Sequence, residues 1–221
     1  VQQRRAGESP FEHLRPLTRT ELEARVAFTP EQMRQVIEVT VAGPERYGVA
    51  ANDRALLYRL AAETGLRPGE IRSLRRGSFD LAAEPPTVTV DSAYAKNRRM
   101  DSIPLRASLA RDLAAHMCTM LPQAPALSLP HQTNVARMFR LDLEAAGLLG
   151  RDEHGKLRHL DDRNRKIDFY CLRHSFVTMV SHSDAHPKVA NLGALATGRK
   201  LGECSGSHDC LSPPLDLKLS D

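Results

Sequence analysis

Apolar residues recur at helical spacing along much of the chain, and the first such stretch also carries the signals of a helix start. Thr29 is placed to cap this helix, with Pro30 in the first turn. Gln32 follows Thr29 by three residues and completes a capping box. The residues predicted to face inward from this helix are Met33, Val36, Ile37 and Thr40.

Two further helices are predicted on either side of the sequence TGLRPGE. Asp53 is expected to cap the longer helix, and Gly65 is expected to stop it. The core-facing residues of this helix are Leu56, Leu57, Leu60 and Ala61. Pro68 then begins a short helix that buries Ile71 and Leu74, which leaves Arg67 at its amino end.

The pattern changes from helical to alternating at residues 87–90, whose sequence is TVTV. This strand is predicted to pair with residues 103–105 as a hairpin. Helices follow over 108–121, over 133–146 and over 168–182, with Pro187 starting another. The inward residues of the 108–121 helix are Leu109, Leu113, Met117 and Met120. Residues 150–166 are highly charged and are predicted to form a solvated loop. The predicted fold class is therefore mainly α with a small antiparallel β-sheet (α+β).

The same pattern divides the chain into three parts. Residues 1–28 are polar and basic, and they are predicted to be a linker or the remnant of an arm. Residues 29–191 form the predicted domain. Residues 192–221 are rich in Gly, Ser and Pro, and they are predicted to be a disordered or aberrant tail.

Composition sets limits on function without deciding it. Lys and Arg outnumber Asp and Glu by 31 to 27, so the net charge of +4 permits an anionic partner such as nucleic acid. Aromatic residues make up 5% and Trp is absent, which disfavours base-stacking platforms for single strands. No apolar run is long enough for a membrane span.

The cysteines form no paired framework, so we expect a reducing, cytoplasmic location. A zinc site at Cys204, His208 and Cys210 is disfavoured because at most three good ligands are present. We therefore expect no metal.

Three motifs occur in an order that resembles the catalytic domain of tyrosine recombinases, the phage-integrase family. The first is TGLRPGEI followed by SLRRGSFDL, and the second is the strand–loop–strand TVTVDSAYAKNRRMDSIPL. The third is DFYCLRHSFVT followed by HPKVAN. The resemblance extends over roughly residues 29–191.

The resemblance implies site-specific DNA recombination or integration on double-stranded DNA, with further recombinase protomers on the same DNA. A tyrosine attacks a phosphodiester to form a phosphotyrosyl bond, so no metal or nucleotide cofactor is needed. Arg67 and Arg173 would clamp the phosphate, with Glu70 orienting Arg67. Lys96 would be the general acid on the hairpin loop. DNA contacts are also expected from Arg98, Arg99 and His174.

Two positions depart from the family pattern. Tyr170 stands three residues before Arg173, where the family commonly has His. A tyrosine there can still hydrogen-bond a phosphate, but its usual pKa near about 10 makes it a poor proton shuttle. No tyrosine follows position 170, so the expected nucleophile is missing.

These departures lead to the expectation that the chain is inactive as written or uses a tyrosine from elsewhere. A non-catalytic DNA-binding module that keeps the phosphate clamp is the main alternative. A type IB topoisomerase-like enzyme is a third. Because the helical pattern and the expected His and Tyr are lost together after about Asn191, we expect the tail to come from a shifted reading frame or a recombined end.

Overall fold

The computed structural model describes residues 24–91, 93 and 101–182. Its helices are α1 (Pro30–Val41), α2 (Ala51–Thr64), α3 (Pro68–Ser73), α4 (Ala107–His116), α5 (Gln132–Ala145) and α6 (Tyr170–His182). Its strands are β1 (Phe79–Asp80), β2 (Thr87–Val90) and β3 (Asp101–Pro104), paired antiparallel in the order β1-β2-β3. The predicted α+β class with a small antiparallel sheet is confirmed.

The ends of α1 and α2 show how local signals set these elements. The side chain of Thr29 accepts a hydrogen bond from the backbone of Gln32, and the reciprocal bond completes the predicted capping box. Gly65 ends α2 in the left-handed conformation, as predicted. The prediction that Asp53 caps α2 is wrong, because the helix begins at Ala51. Asp53 lies in the first turn, where its carboxylate still complements the helix dipole.

Three other boundaries differ from the sequence predictions. Strand β1 was not predicted, because an alternation of two residues is too short to detect. Helix α4 ends at His116 and not at Leu121, and the backbone N–H of Met117 closes its last turn on the carbonyl of Leu113. Helix α6 begins at Tyr170, and Asp168 caps it by accepting the backbone N–H of Tyr170 at 2.9 Å.

The charged segment over 150–166 is a loop, as predicted, but it is built from two similar turns. One carboxylate oxygen of Asp152 accepts two backbone N–H groups, at 3.0 and 2.8 Å. One oxygen of Asp161 does the same at 3.0 and 2.7 Å. Each turn places a residue with positive φ three positions after its aspartate, Gly155 in one and Asn164 in the other. The loop is therefore held by local hydrogen bonds from its backbone to these two aspartate side chains.

Helix α2 lies at the centre of the domain and contacts α1, α4 and α6. Its inner face packs against an aromatic cluster in which Tyr58 meets Phe139 and Phe169 edge to face. Arg54, also on α2, is fully buried and donates to Asp142 of α5 at 2.9 Å. Tyr58 donates its hydroxyl to the same carboxylate at 2.7 Å. Asp142 therefore fixes α2 against α5 through groups that have no access to water.

Residues 24–28 pack onto the domain although they lie within the predicted linker over 1–28. Val26 and Phe28 are buried. The backbone of this segment exchanges hydrogen bonds with Lys166, from Lys166 N to the carbonyl of Ala24 at 2.7 Å and from Val26 N to the carbonyl of Lys166 at 3.3 Å. The rest of the predicted linker and the tail over 192–221 lie outside the described residues. Among the described residues, no helix combines the length and apolar character needed to cross a membrane.

Replacing Asp142 by asparagine should destabilise the fold by about 3–5 kcal/mol, because the buried guanidinium of Arg54 would lose its compensating charge. Asp162→Asn is the control, since the Asp162 side chain is 88% exposed in its ion pair with Arg158. We expect the control to cost less than about 1 kcal/mol. Urea unfolding followed by circular dichroism measures both values. Equal costs for the two variants would contradict the role given to Asp142.

Candidate functional site

The first arginine of the site, Arg67, precedes α3 in an extended conformation. Glu70 directs both carboxylate oxygens at this residue. One oxygen accepts the backbone N–H of Arg67 at 2.7 Å, and the other accepts Nη1 of its side chain at 2.8 Å. Glu70 is 8% exposed, so the contact is shielded from water. The carboxylate therefore sets both the start of α3 and the direction of the guanidinium.

The second arginine, Arg173, reaches the same region from α6. Its Nη1 donates a hydrogen bond to the backbone carbonyl of Gly65, two residues before Arg67. Its Nη2 is buried and has no hydrogen-bond partner. A buried guanidinium nitrogen without an acceptor is costly, and such sites are commonly completed by a ligand or by water. The Arg173 side chain thus offers an unsatisfied donor at the end of α2.

The charges around Arg173 indicate what kind of ligand would complete the site. Burial, and after it the positive charge of Arg67, lowers the pKa of Arg173 to about 10. The negative charge of Glu70 acts in the opposite direction. Two guanidinium groups are therefore close enough to repel each other, with the Glu70 carboxylate already engaged by Arg67. An anion between the arginines would relieve the repulsion between them and accept a hydrogen bond from Nη2 of Arg173.

Gly65 brings the two arginines together through its backbone. Its φ of +68° favours glycine, and a Cβ built there would lie 2.6 Å from Cδ1 of Phe176. Phe176 comes from α6, three residues after Arg173. The missing side chain thus lets α6 approach the end of α2 closely enough for Arg173 to reach the Gly65 carbonyl.

Tyr170 and His174 flank Arg173 on α6 and differ in their surroundings. Tyr170 is 42% exposed and precedes Arg173 by three residues, so the two share a helical face. His174 is also exposed. Burial lowers the pKa of its imidazole, and the charges of Arg25 and Arg165 lower it further.

Of the residues that the sequence predicted for the site, the structure brings Arg67, Glu70 and Arg173 together, with Tyr170 within electrostatic range. Lys96, Arg98 and Arg99 lie outside the described residues, and their roles stay predictions. The part played by the Gly65 carbonyl was missed, because the pattern marked this glycine only as a helix stop. The ion pair between Arg25 and Asp168 was missed as well, because the segment over 24–28 lacks periodicity.

The described part of the chain gives no support for a metal site or for a reactive cysteine. The described residues contain no group of three or more His, Cys, Asp or Glu side chains placed to hold a metal. Cys171 is buried, and burial raises the pKa of its thiol to about 11, so it is not a thiolate nucleophile at neutral pH. The Cys204, His208 and Cys210 group lies outside the described residues.

Solved structures with the same fold are site-specific recombinases and integrases. The XerA recombinase superposes with a TM-score of 0.56 at 17% identity, over 83% of this chain and 59% of that one. The XerH site-specific recombinase bound to its difH substrate superposes with a TM-score of 0.55 at 18% identity, over 79% of this chain and 51% of that one. A lambda integrase dimer bound to a COC′ core site superposes with a TM-score of 0.52 at 17% identity, over 76% of this chain and 56% of that one.

The chain therefore has the fold of a tyrosine-recombinase catalytic domain. It spans between 51% and 59% of the length of these three structures. No family model matches the sequence. No curated protein matches it either.

Gly65→Ala should destabilise the fold more than Gly147→Ala, although both glycines have nearly the same positive φ, +68° and +70°. Each variant carries a conformational cost of about 1–2 kcal/mol. Only Gly65 also faces a clash with Phe176, because nothing lies within 4 Å of a Cβ at Gly147. Thermal and urea unfolding of both variants measure the difference. Equal losses would show that α6 does not need the close approach at Gly65.

Arg173→Met should leave the melting temperature unchanged or raise it. The variant removes a partly buried charge and its repulsion from Arg67, and it loses one hydrogen bond to the Gly65 carbonyl. The control Arg111→Met, at an exposed position on α4, should change little. Differential scanning calorimetry makes the comparison. A marked drop for Arg173→Met alone would mean that this arginine stabilises the fold and is not held there at a cost.

Proposed function

We propose that the chain binds double-stranded DNA around a phosphodiester and belongs functionally with enzymes of site-specific DNA recombination or integration. The single observation that carries this proposal is the pair of guanidinium groups, Arg67 and Arg173, at the end of α2 in a domain of recombinase fold. Two neighbouring positive groups, one of them with an unused donor, favour a phosphate ligand over a neutral one.

The two arginines suit the demands of phosphoryl transfer. The transition state for attack on a phosphodiester carries additional negative charge on its non-bridging oxygens. Forked guanidinium donors fixed by protein contacts can stabilise that charge without reorganising. Glu70 holds Arg67 and the Gly65 carbonyl holds Arg173, so the donors are preorganised before DNA arrives. Arg67 and Arg173 are proposed to touch the phosphate, with Glu70 as their positioning residue.

The remaining predicted residues keep their proposed roles. Lys96 is proposed as the general acid that protonates the 5′-oxygen leaving group. Tyr170 is proposed to donate a hydrogen bond to the phosphate, in the place where the family commonly has His. Arg98, Arg99 and His174 are proposed to contact the DNA backbone. No metal or nucleotide cofactor enters this scheme, since the covalent intermediate conserves the bond energy.

The nucleophile distinguishes recombination from binding alone. Residues 171–221 contain no tyrosine. Tyr58 is fully buried and donates to Asp142, and burial raises its pKa well above the usual value, so it cannot attack DNA. These observations favour a second candidate function, a non-catalytic DNA-binding module that uses the arginine pair as an anchor. On either function, we propose that the present chain binds DNA without cleaving it.

Partners follow from the same comparison. The XerH structure is a complex with its substrate, and the lambda integrase structure is a dimer on its core site. We therefore propose duplex DNA as the ligand of this chain, with further recombinase protomers on the same DNA.

Affinity for a short duplex should fall steeply as salt rises, because phosphate contacts release bound counterions. Arg173→Ala and Arg67→Ala should each weaken binding to unrelated sequences by similar factors. Arg137→Ala, at an exposed position on α5, is the control. Fluorescence anisotropy at several salt concentrations measures all four proteins. Binding that is absent at low salt, or unaffected in both site variants, would exclude the phosphate anchor.

The same duplex carrying a nick separates the two candidate functions. A covalent protein–DNA adduct on denaturing gels would establish cleavage and would require a nucleophile other than the expected tyrosine. We expect no adduct from this chain alone.

A further inference from the structure

We propose that Arg25 is a positioning residue that holds the ring of Tyr170 at the candidate phosphate site. This inference rests on the proposed function for its consequence but not for its geometry. The guanidinium carbon of Arg25 lies 5.3 Å from the centre of the Tyr170 ring. At that distance the cation is attracted to the electron-rich face of the phenol.

Asp168 determines how the Arg25 guanidinium can act. Nε of Arg25 donates to both carboxylate oxygens, at 3.1 and 3.3 Å. Asp168 is 7% exposed, so its charge needs this compensation. The same carboxylate accepts the backbone N–H of Tyr170 at 2.9 Å. Asp168 therefore ties the cation and the backbone of the tyrosine into one unit, and it neutralises the charge that a DNA phosphate would otherwise attract.

The backbone of Arg25 is held as firmly as its side chain. On one side, Ala24 and Val26 are hydrogen-bonded to Lys166. On the other side, the backbone N–H of Phe28 donates to Oγ of Ser175 on α6 at 2.8 Å. The segment over 24–28 is thus fixed to the helix that carries Tyr170. Because its segment is fixed, the Arg25 guanidinium can restrict the motion of the Tyr170 ring.

Tyr170 is the member of the site that most needs such a restraint. Its side chain is 42% exposed, so packing alone leaves its rotamer weakly determined. Tyr170 precedes Arg173 by three residues on α6, so its phenol lies on the helical face that carries Arg173. A ring fixed before DNA binds loses less conformational entropy on donating a hydrogen bond to phosphate.

Fluorine NMR of the full chain labelled with 3-fluorotyrosine tests the contact without DNA. Tyr170→Phe identifies the resonance of Tyr170. Arg25→Met should shift and broaden that resonance, whereas Arg158→Met should not. Arg158 is a matched control because its side chain is 39% exposed in an ion pair, compared with 36% for Arg25. Arg25→Lys keeps the charge opposite Asp168 and loses the planar fork, so it should shift the resonance even if Arg25→Met fails to fold.

DNA binding then tests the consequence. Arg25→Lys and Arg25→Met should weaken binding to a short duplex by about three- to tenfold, the value of one hydrogen bond. In the Tyr170→Phe background the same changes should have no further effect. The salt dependence should keep its slope, because removing a direct bond between Arg25 and a phosphate would reduce that slope by about one.

The outcomes separate the two hypotheses. An unchanged Tyr170 resonance in both Arg25 variants overturns the positioning role, even if the chain binds DNA. A shallower salt slope, or an effect that persists in Tyr170→Phe, also overturns it, because Arg25 would then bind phosphate directly. Failure of the wild-type chain to bind DNA overturns the proposed function, while the NMR comparison still decides whether Arg25 holds the ring.

Discussion

The ion pair between Arg54 and Asp142 fixes the helix from which the candidate site is built. Both groups are removed from water, so the charge of each must be compensated inside the protein. Arg54 lies in the first turn of α2, and Gly65, eleven residues further on (65 − 54), ends the same helix. A helix is stiff over this length, so the pair locates the Gly65 carbonyl. The position of Arg173 depends on that carbonyl, and Arg67 lies two residues beyond it.

At the candidate site, in contrast to the Arg54–Asp142 pair, the interactions around Arg173 oppose folding. Arg173 is partly buried beside a second cation and keeps one donor unpaired, and each of these features works against folding. Protein cores avoid such arrangements unless function requires them. The free energy needed to hold the two arginines together is supplied by α2, α5 and the aromatic cluster around Phe139. An anionic ligand between the arginines would recover part of that cost, which is why the proposed ligand is a phosphate.

Sequence patterns predicted the helices well because their signals are local. The capping box at Thr29 and the left-handed stop at Gly65 depend on only a few neighbouring residues. Motif order predicts the arginine pair, and in the structure Arg173 donates to the carbonyl of Gly65, two residues before Arg67. What escaped prediction depends on contacts between distant residues. Arg25 and Asp168 are separated by 143 positions, and no periodicity in the segment over 24–28 signals their ion pair.

The attachment of residues 24–28 also has a practical consequence for anyone who extends the chain. Because this segment is hydrogen-bonded to Lys166 and to Ser175 of α6, it cannot act as a free tether. An affinity tag or a fused DNA-reading module joined through it enters the domain beside the amino end of α6. A module fused directly before residue 24 would start close to the exposed Tyr170 ring, so binding assays with such a fusion need the unfused chain as a control.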